Sequence, residues 1–140
     1  MDKKFWIAGV AGFLVSLLGG FVVHANLLHA DYALLPNLMR TEADAMTHFP
    51  FLLLSHFIKG FAFAWVYKQG ISVGVPWLTQ GIRFGIAAAL LITVPLYLVY
   101  YAVEPMPGTL VAKQIIFDSI TTVVMAIVIA FIYKAPAESK

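Results

Sequence analysis

Four long apolar runs limit what this chain can fold into. A helix that crosses a bilayer needs about 20 mostly apolar residues. Four segments of that kind are present, at about 5–25, 49–67, 82–103 and 109–133. Only 11% of the 140 residues are charged, whereas an ordinary soluble domain has about 25%. We therefore expect an all-α fold, a four-helix transmembrane bundle in which residues 1–140 form a single integral membrane domain.

The basic residues predict an orientation, because cytoplasmic loops are enriched in lysine and arginine. With four spans, six basic residues fall on the side of the N-terminus: Lys3, Lys4, Lys68, Arg83, Lys134 and Lys140. Arg40 and Lys113 fall on the opposite side. We therefore expect both termini to lie in the cytoplasm.

The connections between the spans are predicted at 26–48, 68–81 and 104–108. The first is long enough to hold a short interfacial helix at about 27–35. Pro95 lies inside the third span and is expected to kink it, because proline cannot donate to the carbonyl of Leu91.

Small and polar residues recur every fourth position in the spans, and such stripes let membrane helices approach closely. The stripe of the fourth span contains Gln114, Asp118 and Thr122. In the first span the expected helix-packing residues are Gly12, Ser16 and Gly20, and His24 continues the same stripe. In the second span the packing residue is Gly60. In the third span the packing residues are Gly81 and Gly85, and Ala89 follows them in the stripe.

Two charged residues lie deep inside the spans. Lys59 follows Phe49 by about 15 Å of helix, and Asp118 follows Thr109 by about 13.5 Å. Both spans enter from the same side, so we expect an ion pair between Lys59 and Asp118. His56 and Gln114 would complete an intramembrane polar cluster. Such a cluster either marks a proton or substrate pathway or only fixes the helix register.

The histidines suggest a second kind of site. His24, His29 and His48 lie near one face of the membrane together with carboxylates and methionines. Imidazole with carboxylate is a ligand set typical of zinc, and imidazole with thioether is typical of copper. A haem held by His24 and His56 is an alternative that a four-helix bundle could accommodate. The spacing matches no defined motif, so the cofactor stays unknown at this stage.

Several classes of function are excluded by what the sequence lacks. There is no cysteine, which rules out thiol chemistry and cysteine-ligated metals. None of the common catalytic fingerprints is present, including the P-loop and the zinc-protease and serine-hydrolase motifs. A net charge of +2 without a basic run gives no sign of nucleic-acid binding. We therefore expect a protein that is not an enzyme and does not bind nucleic acid.

The second half of the chain carries a family resemblance. The third span opens with Gly81-Ile82-Arg83-Phe84-Gly85 and ends near Tyr100-Tyr101, and Asp118 lies in the fourth. In these features the chain resembles a family of small uncharacterised bacterial four-helix membrane proteins of the domain-of-unknown-function type. The resemblance implies a location in the bacterial inner membrane and no established catalytic activity.

Taken together, these features favour an accessory or scaffold subunit that packs against other membrane helices. Its partners would be the lipid bilayer and either further copies of itself or a larger membrane complex. One alternative is a small ion- or proton-coupled transporter that uses Lys59, Asp118 and His56. Another is binding of copper, zinc or haem by the histidines.

Overall fold

The structure, a computed structural model, describes residues 2–134, so Lys140 and the extreme termini lie outside the described residues. Within that range the chain is helical, without strands. Four helices are long and apolar enough to cross a membrane, and we refer to them as the first to fourth long helices: Lys3–Leu27, Glu42–Gln69, Trp77–Val103 and Gly108–Tyr133. The short helix expected in the first connection is present at His29–Ala33.

Two of the long helices begin earlier than their apolar runs do. The second begins at Glu42, where Thr41 caps the helix by accepting a hydrogen bond from the amide of Asp44 at 3.4 Å. A capping threonine followed by acidic residues stabilises the start of a helix. The third begins at Trp77, directly after Pro76. Hydropathy alone does not detect such polar first turns.

The first and third long helices each contain a π-helical segment, at Phe21–Leu27 and Ala89–Thr93. The second segment ends shortly before Pro95, where a regular helix is expected to be disturbed, and there the amide of Val94 bonds to the carbonyl of Ala89. π-Helical turns are rare and frequently lie at functional sites. Here the first of them carries His24.

The long helices approach one another through glycines. The first packs between the second and the fourth, and the third packs on the fourth. A Cβ atom on Gly60 would lie 2.2 Å from the backbone nitrogen of Phe13, and one on Gly12 would lie 3.1 Å from the Cα atom of Gly60. Gly81 and Gly85 make similarly close contacts with the fourth helix. Four of the expected packing glycines therefore lie at helix contacts.

The main core fills one half of the bundle. Its central residues are almost fully buried: Ala8, Phe63, Ala64, Tyr67, Ala88, Met125, Ile129 and Ala130. At the adjoining end the ammonium of Lys4 donates to the carbonyl of Lys134, and Lys68 lies 3.9 Å from Asp2. We call this the basic end.

The opposite end, which we call the loop end, is covered by the segment 28–41. Leu28 is completely buried there and packs with Val23 and Leu110. Its burial anchors the short helix, in which Asp31 and Tyr32 are partly buried and the other three residues are exposed.

Candidate functional site

Asp118 is at the centre of a polar cluster in the loop-end half of the bundle. It follows the start of the fourth helix by about 15 Å. One carboxylate oxygen, Oδ2, lies 3.2 Å from Nε2 of His24 and accepts a hydrogen bond from the hydroxyl of Tyr97. The Asp118 side chain is only 16% exposed. A charge at this depth costs about 2.5–3.5 kcal/mol even on lenient insertion scales, and the two donors offset part of that cost.

The hydrogen bonds continue from His24 towards the loop end. Nδ1 of His24 lies 2.7 Å from the hydroxyl of Tyr32, and that hydroxyl accepts a hydrogen bond of 2.9 Å from the amide nitrogen of Gln114. Asp31 beside Tyr32 forms an ion pair of 2.9 Å with Lys113. The polar contacts from Asp118 therefore run through His24 and Tyr32 to the buried Gln114, and the ion pair of Lys113 with Asp31 lies next to them at the loop end.

The directions of these hydrogen bonds follow from the groups themselves. A carboxylate only accepts, so Nε2 of His24 carries a proton. In a neutral imidazole Nδ1 then accepts from Tyr32, whose oxygen accepts from Gln114. Burial raises the pKa of Tyr32 above its ordinary value, more than the hydrogen bond from Gln114 lowers it. Tyr32 therefore keeps its proton at neutral pH.

A second arrangement of protons is also consistent with this geometry. The carbonyl oxygen Oε1 of Gln114 is buried and has no hydrogen-bond partner within residues 2–134. If His24 takes up a second proton, Nδ1 becomes a donor and Tyr32 must direct its own proton elsewhere. A half-turn of the Gln114 amide presents Oε1 to that proton. The chain can thus take up one proton while every link between Asp118, His24, Tyr32 and Gln114 is kept. Within the described residues one end of the Gln114 amide is unpaired in either arrangement, Oε1 in the first and Nε2 in the second.

Two further polar pairs lie beside this chain. The hydroxyl of Ser16, only 2% exposed, lies 2.7 Å from Nδ1 of His56. The hydroxyls of Thr93 and Thr122, both buried, lie 3.4 Å apart. The first pair joins the first and second long helices, and the second joins the third and fourth.

The expected ion pair between Lys59 and Asp118 is not formed. In the part of the chain that the structure describes, the Lys59 ammonium is not within 4.0 Å of a carboxylate, although it interacts with Asp118 over a longer distance. The first long helix packs between the second and the fourth, which carry these two residues, and Oδ2 of Asp118 contacts His24 of that first helix and Tyr97. The polar cluster expected around Lys59 is therefore organised around Asp118, with Gln114 joined to it through Tyr32 and His24.

The histidines expected to bind metal are not brought together. Among the described residues, no three His, Asp or Glu side chains are placed to hold a metal ion. His48 bonds locally to the carbonyl of Asp44 at 2.9 Å, and His29 is exposed. A haem held by His24 and His56 does not fit either, because both ring nitrogens of His24 are occupied by Tyr32 and Asp118.

Tyr32 and Tyr97 belong to the polar cluster but are not among the site residues predicted from the sequence. The stripe of the third helix, read onward from Gly81, Gly85 and Ala89 in steps of four, reaches Thr93 and then Tyr97. That signal could have placed Tyr97 opposite the stripe of the fourth helix. Tyr32 belongs to the short helix His29–Ala33, which at five residues is too short to show such a periodicity.

Comparisons with protein-family models, with curated proteins and with solved structures find no match for this chain. The resemblance to small bacterial four-helix membrane proteins therefore stays a prediction.

Proposed function

We propose that this chain is a small membrane carrier that moves protons, with Asp118 and His24 as the proton-binding groups. One observation carries the proposal: an intramembrane carboxylate, Asp118, lies 3.2 Å from His24, which is linked through Tyr32 to Gln114 in the loop-end half of the bundle. Ionisable groups inside a membrane commonly mark ion or proton pathways. The two proton arrangements available to Gln114, Tyr32 and His24 supply a route for uptake and release.

Four helices leave little room for a solute. We therefore expect the chain to work as a homo-oligomer or within a larger membrane complex.

We also propose an orientation in which the basic end faces the cytoplasm of a bacterium and the protein lies in its inner membrane. Lys4, Lys68 and Lys134 gather at that end, which supports the orientation because cytoplasmic loops are enriched in lysine and arginine. The proton would then reach Asp118 from the outer face, through the loop end.

The test is proton flux into liposomes that contain the purified protein and an internal pH dye, driven by a potassium diffusion potential. We expect Asp118→Asn to lower the protein-dependent flux at least about tenfold, because the amide cannot exchange a proton. Asp44→Asn is the matched control, since it removes an exposed carboxylate near the loop end and should leave the flux unchanged. Equal flux in wild type and folded Asp118→Asn would refute the carrier.

A second variant keeps the test decisive if Asp118→Asn does not fold. Tyr97→Phe leaves the carboxylate and His24 in place and removes one donor to Asp118. The pH at which the proton flux is half-maximal should then shift, because the variant loses one hydrogen bond that favours the carboxylate form of Asp118. A flux with the same midpoint in wild type and Tyr97→Phe would argue against Asp118 as the proton-binding group.

A second candidate is the non-enzymatic accessory subunit. It is favoured by an apolar groove of about 410 Å³ between the first and fourth long helices, lined by Val15, Val22, Phe117 and Val124 among others. A neighbouring membrane helix could place side chains there. If this is the function, single-cysteine variants along the groove should crosslink to a partner in native membranes, and flux should be independent of Asp118.

A further inference from the structure

A second apolar groove lies between the first and second long helices, in the loop-end half of the bundle. Its volume is about 540 Å³, within the range of pockets that bind small molecules. Its walls include Leu17, Leu18, Phe21, Phe49 and Leu52. Leu18 and Phe21 are 62% and 63% exposed, so the groove is open to the hydrocarbon of a bilayer.

His56 brings a polar group to this groove. Its Nδ1 atom is held by the hydroxyl of Ser16 at 2.7 Å. A Cβ atom on Gly20 would lie 3.4 Å from Nε2 of His56, and both residues line the groove. Glycine at position 20 therefore leaves the Nε2 edge of the ring accessible, where a larger side chain would cover it.

The position of the proton on His56 follows from the burial of Ser16. In the described chain the Ser16 hydroxyl makes no hydrogen bond other than the one to His56. Buried polar groups are nearly always satisfied. The hydroxyl proton therefore goes to Nδ1, and the proton of the neutral imidazole lies on Nε2. His24 also lines the groove, but both of its ring nitrogens are taken by Tyr32 and Asp118, so within residues 2–134 the groove presents one free N–H donor, that of His56.

We propose that this groove binds a neutral, bilayer-soluble molecule with a carbonyl oxygen, which accepts a hydrogen bond from Nε2 of His56. The apolar body of the molecule would pack on the leucine and phenylalanine side chains. This proposal does not depend on proton binding by Asp118.

The experiment measures saturable binding of tritiated decylubiquinone, as the probe, to the purified full-length protein in detergent. Competition with unlabelled decylubiquinone is compared with competition by decylbenzene, which has a similar apolar body but no carbonyl. One net hydrogen bond corresponds to about a 3- to 10-fold difference in affinity. We expect decylbenzene to compete more weakly than unlabelled decylubiquinone by this factor. We expect His56→Phe to bind the probe more weakly than wild type by the same factor.

A groove-filling pair of variants separates this site from general lipid binding. Leu18→Trp fills the groove and should abolish saturable binding. Leu14→Trp adds the same ring one turn away on an exposed position outside the groove, and should bind as wild type does. The proposal is overturned if binding does not saturate, if decylbenzene competes equally well, or if the two tryptophan variants behave alike. Asp118→Asn serves to separate the two proposals, since binding should survive where flux is lost.

Discussion

Replacing Gly60 by alanine tests whether backbone contact between the first and second long helices holds this bundle together. The new Cβ atom would lie 2.2 Å from the nitrogen and 2.7 Å from the Cα atom of Phe13. Carbon atoms in ordinary contact are about 3.5–4.0 Å apart, so the helices must separate by roughly 1 Å. Backbone atoms cannot turn away as the end of a side chain can.

The expected magnitude follows from two opposing effects. Overpacking a well-packed contact costs about 1–3 kcal/mol, and in lipid such packing is a main source of helix association. Alanine is a better helix former than glycine by up to about 1 kcal/mol, which acts in the opposite direction. We therefore expect Gly60→Ala to lower the free energy of unfolding by about 1–2 kcal/mol.

The assay is reversible unfolding in mixed micelles of a mild detergent and dodecyl sulfate, followed by circular dichroism. Gly70→Ala is the control, because the nearest atom to its new Cβ would be 3.9 Å away. If Gly60→Ala proves as stable as Gly70→Ala, the close approach at Gly60 does not exist in the folded protein.

Three further outcomes can be measured with the same unfolding assay. Tyr32→Phe leaves a buried amide of Gln114 unpaired and should cost about 1–3 kcal/mol. Burial raises the pKa of Tyr32 above 10.0, so Tyr32 loses its proton more readily in the unfolded chain than in the folded one as the pH rises past about 10. The free energy of unfolding of wild type should therefore fall more steeply there than that of Tyr32→Phe. Equal slopes of stability against pH would contradict the burial of Tyr32. Lys113→Met breaks a largely exposed ion pair with Asp31 and should cost less than about 1 kcal/mol, so a loss above 2 kcal/mol would require another role for Lys113. Met125→Ala empties a fully buried position and should cost about 2–5 kcal/mol, whereas an unchanged midpoint would mean that this core is loosely packed.

The existence of the four long helices could be predicted from hydropathy, but their first turns could not. The extension of the second helix back to Glu42 depends on the cap at Thr41, and capping is local chemistry that a hydropathy window averages away. Most of the packing glycines were found because spacing by four is a one-dimensional signal of a helix face.

The candidate site was predicted only in part, because its partners come from three long helices and from the short helix of the first connection. Equal depth made Lys59 the expected partner of Asp118. Depth alone does not give the rotation of a helix about its axis, and His24 lies in a π-helical segment where that rotation departs from the regular one. His24 and Asp118 nevertheless belong to two stripes visible in the sequence, and pairing those stripes would have brought them together.

The packing at the basic end limits how a proton could travel further. Phe63, Met125 and Ile129 fill the bundle between Asp118 and that end, so the polar chain is open on one side only. A proton that enters the polar chain from the loop end must leave at the same end unless the helices rearrange. Passage would then be gated by a conformational exchange, typically on the microsecond-to-millisecond scale. Single-channel recordings should accordingly show no steady open-pore current.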